Sequence, residues 1–223
     1  MLGGVGSITN PRTRFGTASL PKSLSGFEDL VFLFSSNVLN HGIAALRLDE
    51  AAYLYGLVRS LGSATIVEIG RFMGGSTFLI AAAMDERSIL VSYDLHVYRP
   101  SGLDHEQLDG ELVEALVRYG LQDRVSVIVG DSRTAQPPTT PCDLVFVDGD
   151  HTYEGVRADY EHWGLFVRPG GHLVFHDAIR CDFQPHYEGA SRLVREIEER
   201  GSGSFVRTGS AGSLVHFVRT GVA

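Results

Sequence analysis

One stretch, residues 142–178, constrains the fold of this chain more than any other. It reads CDLVFVDGDHTYEGVRADYEHWGLFVRPGGHLVFHDA, and its residues 144–147 form an apolar, β-rich run that suits a strand buried on both faces of a parallel sheet. A helical pattern follows, with one apolar face formed by Val156, Tyr160, Trp163 and Val167. We expect Pro169-Gly170-Gly171 to break this helix and residues 172–175 to form a second buried strand. The stretch therefore predicts a strand–helix–strand crossover, with acids and histidines after both strands.

The rest of the chain repeats this alternation of strand-like and helix-like segments. Five further strands are predicted over residues 65–69, 88–93, 125–129, 204–208 and 213–219. The pattern predicts an α/β fold: a doubly wound, mostly parallel seven-stranded sheet with a C-terminal antiparallel hairpin, of the Rossmann-like kind. Open sheets of this kind bind their ligands at the carboxyl ends of the strands. We therefore expect the functional site at that edge.

The N-terminal part of the chain differs from the rest in composition. Residues 1–25 are rich in Gly, Ser, Thr and Pro without periodicity, which predicts a loop or an arm. Residues 27–39 are apolar on most faces and predict a helix that covers the ligand site as a lid or packs on a second subunit. We therefore divide the chain into an N-terminal arm with a lid or dimerisation helix, residues 1–47, and one ligand-binding domain, residues 48–223. A homodimer is compatible with this division.

Charge and cysteine content exclude several classes of function. The net charge of −8 does not suit a protein whose main task is to bind a phosphate backbone, so we expect no nucleic-acid partner. Cys142 and Cys181 have neither metal-site nor disulfide-framework spacing, which favours a reducing compartment. The sequence has neither an apolar run long enough to span a membrane nor an apolar signal core before its first basic residues. We expect a cytoplasmic protein without a membrane partner.

A glycine-rich loop follows the first predicted strand. It contains Gly70, Gly74 and Ser76 and leads into an apolar helix, whose N-terminus favours a negative group. A dinucleotide-binding fold and a tight turn without a ligand both remain open at this point, although residue 72 is Phe where the dinucleotide pattern needs Gly. Asp94 ends the second strand, where an acid commonly accepts ribose hydroxyls, and Asp131 with Ser132 ends the third.

These pieces together resemble the class I S-adenosylmethionine-dependent methyltransferases. The chain is most similar to the small branch that includes macrocin-type O-methyltransferases and cephalosporin-hydroxylase-like proteins. The similar segments lie between residues 48 and 178, and they are LDEAAYLYGLVRSL, VEIGRFMGGST, GDS, VFVDGDHTYEGVRADYEHW and RPGGHLVFHD. The resemblance makes residues 48–223 the S-adenosylmethionine-binding domain.

The resemblance also implies roles for individual residues. Around the methionine part of the cofactor it places Glu68, Gly70 and Ser76, together with Gly74 of the same loop. It implies that Asp94 holds the ribose and that Asp131 with Ser132 reads the adenine. Asp148, after the fourth strand, is expected both to contact the cofactor and to take part in catalysis.

A second set of residues is predicted to carry the chemistry. In metal-dependent O-methyltransferases an Asp ends strand four and a basic residue follows three positions later, and Asp148 and His151 occupy those places. His151 is our candidate general base. The resemblance also points to a divalent metal, Mg²⁺ or Mn²⁺, held by Asp148, His176 and Asp177. Position 178, an Asn ligand in the catechol-type enzymes, is Ala here.

The sequence thus predicts an S-adenosylmethionine-dependent O-methyltransferase acting on a hydroxyl of a small molecule of the natural-product, sugar or phenol type. Two alternatives stay open. One is a cofactor-binding accessory or hydroxylase-like protein, and the other is an NAD-dependent oxidoreductase, which the glycine spacing and the closing hairpin disfavour.

Overall fold

The computed structural model describes residues 22–34, 43–97, 104–137, 139–179, 188–199 and 204–221. Within these residues seven strands form one sheet: β1 (Thr65–Ile69), β2 (Ile89–Asp94), β3 (Val125–Val129), β4 (Cys142–Val147), β5 (Val167–Phe175), β6 (Phe205–Ala211) and β7 (Leu214–Arg219). The helices are α1 (Leu48–Ser60), α2 (Gly75–Ala83), α3 (His105–Arg118), α4 (Tyr153–Trp163) and α5 (Glu188–Glu199).

The strand order is β3-β2-β1-β4-β5-β7-β6. Strands β1 to β5 pair in parallel, whereas β7 pairs antiparallel with both β5 and β6. This arrangement confirms the predicted Rossmann-like fold with its closing hairpin. The order reverses between β1 and β4, and the carboxyl edge beside such a reversal is where open sheets form their ligand crevice.

Alternating side chains of the central strands supply two separate cores. Ile66 and Phe146 belong to one hydrophobic cluster, together with residues of α1, α2 and α3. Val67 and Val145, one position along each strand, belong to the other cluster, which includes residues of α4 and α5. The continuous apolar runs in the sequence have this physical origin.

The crossover between β4 and β5 differs from the prediction in detail. Helix α4 ends at Trp163, a 3-10 turn spans Gly164–Phe166, and Val167 already belongs to β5 rather than to the helix face. Pro169-Gly170-Gly171 therefore lies inside the strand segment. The register shifts there, because Cys142 pairs with Val167 and Leu144 with His172. Gly170, with φ of 73°, supplies the left-handed backbone that this irregularity uses.

The predicted helix over residues 27–39 is also shorter than expected. A 3-10 helix spans Phe27–Leu33, and residues 35–42 lie outside the described part of the chain. Leu30 and Leu33 are fully buried, and the Phe32 ring packs edge-on against Phe78 of α2. This segment is thus anchored on the domain core. Its predicted role as a lid or dimer surface stays a prediction.

No helix in the described ranges is long and apolar enough to cross a membrane.

Candidate active site

The loops at the carboxyl edge of the sheet enclose a cavity of about 1200 Å³. Two groups of lining residues differ in chemistry. The glycine-loop end contains Gly70, Asp94, Asp131 and Ser132, and the histidine end contains Asp148, His151, His176 and Asp177. All eight were predicted as site residues, and the fold brings them to one cavity.

Gly70 joins the two ends of the cavity. Its φ is 89°, and a Cβ at this position would lie 2.1 Å from the carbonyl oxygen of Asp148. The loop after β1 therefore passes directly against the loop after β4, and a side chain at Gly70 would force them apart. Glycine is therefore required at position 70 both by the positive φ and by the close approach of Asp148.

Asp94 is fixed by backbone donors. Its carboxylate accepts the backbone N–H groups of Arg71 and Phe72, each at 2.8 Å, and of His96 at 2.6 Å. Burial raises the pKa of Asp94, but these hydrogen bonds outweigh burial and hold the pKa below its usual value. Asp94 is therefore a charged acceptor with a defined orientation at the cavity wall.

Asp131 and Ser132 have different environments although they are adjacent. Asp131 forms an ion pair with Arg133 at 2.7 Å, and the hydrogen bond from Arg133 lowers the pKa of Asp131. The Ser132 hydroxyl donates to Asp159 at 2.6 Å. Asp159 also lines the cavity, and its burial raises its pKa to about 6.

Three of the predicted cofactor residues do not line the cavity. Glu68 is fully buried and accepts the hydroxyls of Thr77 and Ser92, each at 2.5 Å; burial raises its pKa. Gly74 has φ of 82° at the start of α2, and Ser76 is buried in the first turn of that helix. Glu68 points toward α2 rather than toward the sheet edge, and Gly74 and Ser76 lie at the start of that helix. These three residues therefore support the glycine loop and do not reach the cavity.

The four residues of the histidine end form a compact cluster. One ligand atom from each of Asp148, His151, His176 and Asp177 lies within 4.8 Å of the others. His151 Nε2 is 3.1 Å from Asp177 Oδ2 and 3.5 Å from Asp148 Oδ1. His176 Nδ1 is 2.8 Å from Asp148 Oδ1. Asp177 has φ of 50°, an unusual conformation for a non-glycine residue that costs about 1–3 kcal/mol and is often found at functional sites.

The cluster charges its own histidines. Burial would lower the pKa of His151, but hydrogen bonding to Asp148 and Asp177 raises it to about 9. Burial opposes the charged form of His176 as well, yet Asp148 and Glu50 raise its pKa well above the usual value. Both imidazoles are therefore positively charged at neutral pH in the ligand-free protein.

Sequence reasoning missed Glu50 as a site residue. Glu50 is the third residue of α1 and lines the cavity with 1% exposure. Its Oε2 lies 3.1 Å from His176 Nε2, which together with the other contacts of its carboxylate lowers the pKa of Glu50 to about 2 against the effect of burial. The only sequence signal was an acid in the first turn of a helix, and such residues usually serve as caps.

Sequence reasoning also missed Arg71, which supports the glycine loop. Its guanidinium is buried and binds both oxygens of Asp109, at 2.8 and 2.7 Å. It also donates to the carbonyl oxygens of Ser92 and Ile128, at the ends of β2 and β3. Arg71 thereby ties the glycine loop to two neighbouring strands. A charged residue inside a glycine-rich loop was the signal that could have found it.

Several solved structures with a similar fold are methyltransferases. An O-methyltransferase from Bacillus cereus, solved with SAH, is 21% identical, with a TM-score of 0.60 and coverage of 79% of this chain and 84% of that chain. The O-methyltransferase TomG from Streptomyces achromogenes, involved in tomaymycin synthesis and solved with SAM, is 20% identical, with a TM-score of 0.60 and coverage of 79% and 82%. At these identities the likeness establishes a Rossmann-like methyltransferase fold.

The family follows from the sequence itself. Residues 67–178, just over half of the chain, match a family model described as a methyltransferase domain. The chain belongs to this methyltransferase-domain family. An uncharacterized protein of Acanthamoeba polyphaga mimivirus is 28% identical over 145 residues, which are 60% of this chain and 61% of that protein, so the match spans less than two thirds of the relative.

The donor set of the histidine end fits a divalent ion. It offers carboxylate oxygens from Asp148 and Asp177 and ring nitrogens from His151 and His176, all within 4.8 Å of one another. Mg²⁺ prefers oxygen ligands, whereas an added imidazole suits Mn²⁺ or Zn²⁺. The predicted ligands Asp148, His176 and Asp177 are thus joined by His151, which was predicted as a base instead.

Proposed function

We propose that this protein transfers the methyl group of S-adenosylmethionine to a hydroxyl oxygen of a small molecule. One observation carries the proposal: the backbone-fixed acid Asp94 and the imidazole–carboxylate cluster line the same cavity. The first suits a cofactor with ribose hydroxyls, and the second suits removal of a proton from an acceptor. The family match favours methyl transfer over the NAD-dependent oxidoreductase.

The glycine-loop end has the groups needed to hold the cofactor. S-adenosylmethionine, when bound, supplies an electrophilic methyl group. The carboxylate of Asp94 keeps lone pairs beyond those used by its three backbone donors, and we assign to it the ribose hydroxyls. To Asp131 and Ser132, which follow β3 and line the same cavity, we assign the adenine. Positioning an acceptor in line with a bound methyl group contributes much of the rate in transfers of this kind.

The histidine end has the groups needed to activate the acceptor. His151 is about one-third exposed, on the cavity wall, and we propose it as the general base. Because its pKa is about 9 in the ligand-free protein, it accepts a proton only after releasing its own. Asp148, His176 and Asp177 would hold a divalent ion, whose charge would lower the pKa of an acceptor hydroxyl and offset the carboxylate charges that keep His151 protonated.

A turnover assay tests the proposal. The enzyme is incubated with S-adenosylmethionine and a panel of sugars, phenols and other hydroxylated metabolites, and products are analysed by mass spectrometry. We expect one acceptor class to gain a single methyl group on oxygen. Methylation of nitrogen or carbon alone would refute the assignment to oxygen, and reduction of NAD by the same panel would refute methyl transfer.

The ion is tested in the same assay. The enzyme is stripped with EDTA, and Mg²⁺, Mn²⁺ or Zn²⁺ is added back singly. We expect stripping to reduce turnover and Mn²⁺ to restore it better than Mg²⁺, because the His176 imidazole belongs to the proposed ligand set. Full turnover after stripping, with no ion found by elemental analysis, would leave His151 as the sole activator.

A further inference from the structure

Glu50 reaches the histidine end from α1, and it is separated from His176 by 126 positions in the chain. We infer that Glu50 is a positioning residue, which fixes the His176 ring with Nδ1 toward Asp148 and Asp177 and thereby sets the affinity of this cluster for a divalent ion. The inference rests on the proposed ion-binding role of the cluster, and it assigns a function to a residue that no motif marks.

The His176 ring is held at both of its nitrogens. Nδ1 faces the cluster, at 2.8 Å from Asp148 Oδ1 and 3.4 Å from Asp177 Oδ2. Nε2 points the opposite way, at 3.1 Å from Glu50 Oε2. Histidines that bind metals commonly donate their second ring N–H to a carboxylate, which fixes the tautomer and leaves the other nitrogen for the ion. Glu50 stands in that relation to His176.

The Glu50 carboxylate is itself held rigidly. Its Oε1 accepts the backbone N–H and the hydroxyl of Ser213, at 2.7 and 2.8 Å, and its Oε2 accepts the backbone N–H of Arg47 at 2.7 Å. With His176 the carboxylate has four partners, which occupy the lone pairs of both oxygens. Glu50 is therefore placed to orient His176 rather than to bind an ion directly.

The turn between β6 and β7 is shaped around this carboxylate. Gly212 has φ of 55°, and a Cβ there would lie 2.4 Å from Glu50 Oε1. The next residue, Ser213, also places its hydroxyl 3.2 Å from Asp177 Oδ1. One turn thus contacts both Glu50 and Asp177. The β6–β7 turn and α1 therefore both lie beside the histidine end of the cavity.

Binding of Mn²⁺, measured by calorimetry on the full chain without cofactor or acceptor, tests the inference. In Glu50→Gln we expect Mn²⁺ to bind about 10–100-fold more weakly, the usual effect of losing a carboxylate behind a histidine ligand. The matched control is Asp49→Asn, the adjacent residue of the same helix turn. Asp49 is half exposed, pairs with Arg47 and does not line the cavity, so this variant loses the same charge and should bind Mn²⁺ like the wild type.

A double-mutant cycle separates orientation from general damage to the fold. If Glu50 acts through His176, then Glu50→Gln should change Mn²⁺ affinity little once His176→Asn is present. Should Glu50→Gln fail to fold, Ser213→Ala provides the second variant, because it removes one donor to the Glu50 carboxylate. The same hydroxyl contacts Asp177, so only a weakening that disappears in the His176→Asn background is assigned to Glu50. Ser213→Ala should weaken Mn²⁺ binding less than Glu50→Gln.

The outcomes distinguish the inference from the proposal beneath it. The inference is supported if Glu50→Gln weakens Mn²⁺ binding in the wild-type background and no longer weakens it in the His176→Asn background. Equal Mn²⁺ affinity in the wild type and in folded Glu50→Gln or Ser213→Ala overturns the role of Glu50 and leaves the ion site standing. A wild-type protein that binds neither Mn²⁺ nor Zn²⁺ overturns the ion site, and the inference with it, while methyl transfer remains testable by turnover.

Discussion

The two ends of the cavity are built in different ways. At the glycine-loop end, Asp94 is oriented by backbone N–H groups, which every residue except proline carries, whatever its side chain. At the histidine end, His176 is oriented by the side chains of Asp148 and Glu50, from positions 28 and 126 residues away. The first end is fixed by the path of the chain, and the second depends on particular side chains. Substitutions should therefore affect binding at one end and chemistry at the other.

The largest effect is expected from His151→Asn. General-base catalysis typically contributes about 10²–10⁴-fold, so kcat should fall by that factor. Affinity for S-adenosylhomocysteine should stay nearly unchanged, because the predicted cofactor contacts that line the cavity, apart from Asp148, lie at the glycine-loop end. Steady-state turnover and calorimetry on the same preparation provide the two values.

A matched histidine substitution controls for that result. His162 belongs to α4, hydrogen-bonds to the carbonyl oxygen of Ala135 and does not line the cavity. His162→Gln should leave kcat unchanged. If His151→Asn also kept its turnover and lost only thermal stability, His151 would be a structural residue.

The second prediction concerns the opposite end. Asp94→Ala should weaken S-adenosylhomocysteine binding by about 1.5–3 kcal/mol, the range for hydrogen bonds to a charged group. In Asp131→Ala the loss should be smaller, about 0.5–1.5 kcal/mol, because that carboxylate is already shared with Arg133. Calorimetry on folded variants gives both values. Equal affinity in Asp94→Ala and the wild type would remove Asp94 from the site.

The third prediction, smaller than that for Asp94→Ala, concerns stability at the glycine-loop end. Burial raises the pKa of Asp159 from 3.8 to about 6, so the folded protein binds this proton more tightly than the unfolded chain does. Stability from this group is present at low pH and is lost as pH rises to 6 and above. Asp159→Asn should thus stabilise the ligand-free protein at pH 8 by about 1–2 kcal/mol, below the ceiling of about 3 kcal/mol set by the shift.

Denaturant unfolding at two pH values checks this prediction. Near pH 4.5 the carboxyl group of folded Asp159 is mostly protonated, and the substitution should stabilise the protein clearly less than at pH 8. A gain of the same size at both pH values would show that charge on Asp159 is not its cause.

The contrast between the two ends also explains what the sequence could predict. Asp94, Asp131 and Asp148 were found because each lies at or just after the carboxyl end of a predicted strand, and the carboxyl ends of parallel strands meet at one edge. Their place follows from chain order and sheet topology alone. The strands themselves were evident from apolar runs, because both faces of the central sheet are covered by helices.

Glu50 could not be found in this way. Its role depends on the packing of α1 beside the β6–β7 turn, where Ser213 is 163 positions away, and neither segment shows this in its own pattern. Glu68 is the opposite case: it lies near the carboxyl end of β1, as a site residue should, but its side chain points toward α2 and accepts a hydrogen bond from Thr77. Which face of a strand a side chain takes decides whether it reaches the cavity or the core.

A calorimetric titration with S-adenosylhomocysteine, run beside one with NAD, tests the central claim most directly. We predict saturable binding of one S-adenosylhomocysteine per chain, weakened in Asp94→Ala and kept in His151→Asn, and no saturable binding of NAD. Saturable binding of NAD without binding of S-adenosylhomocysteine would contradict the account.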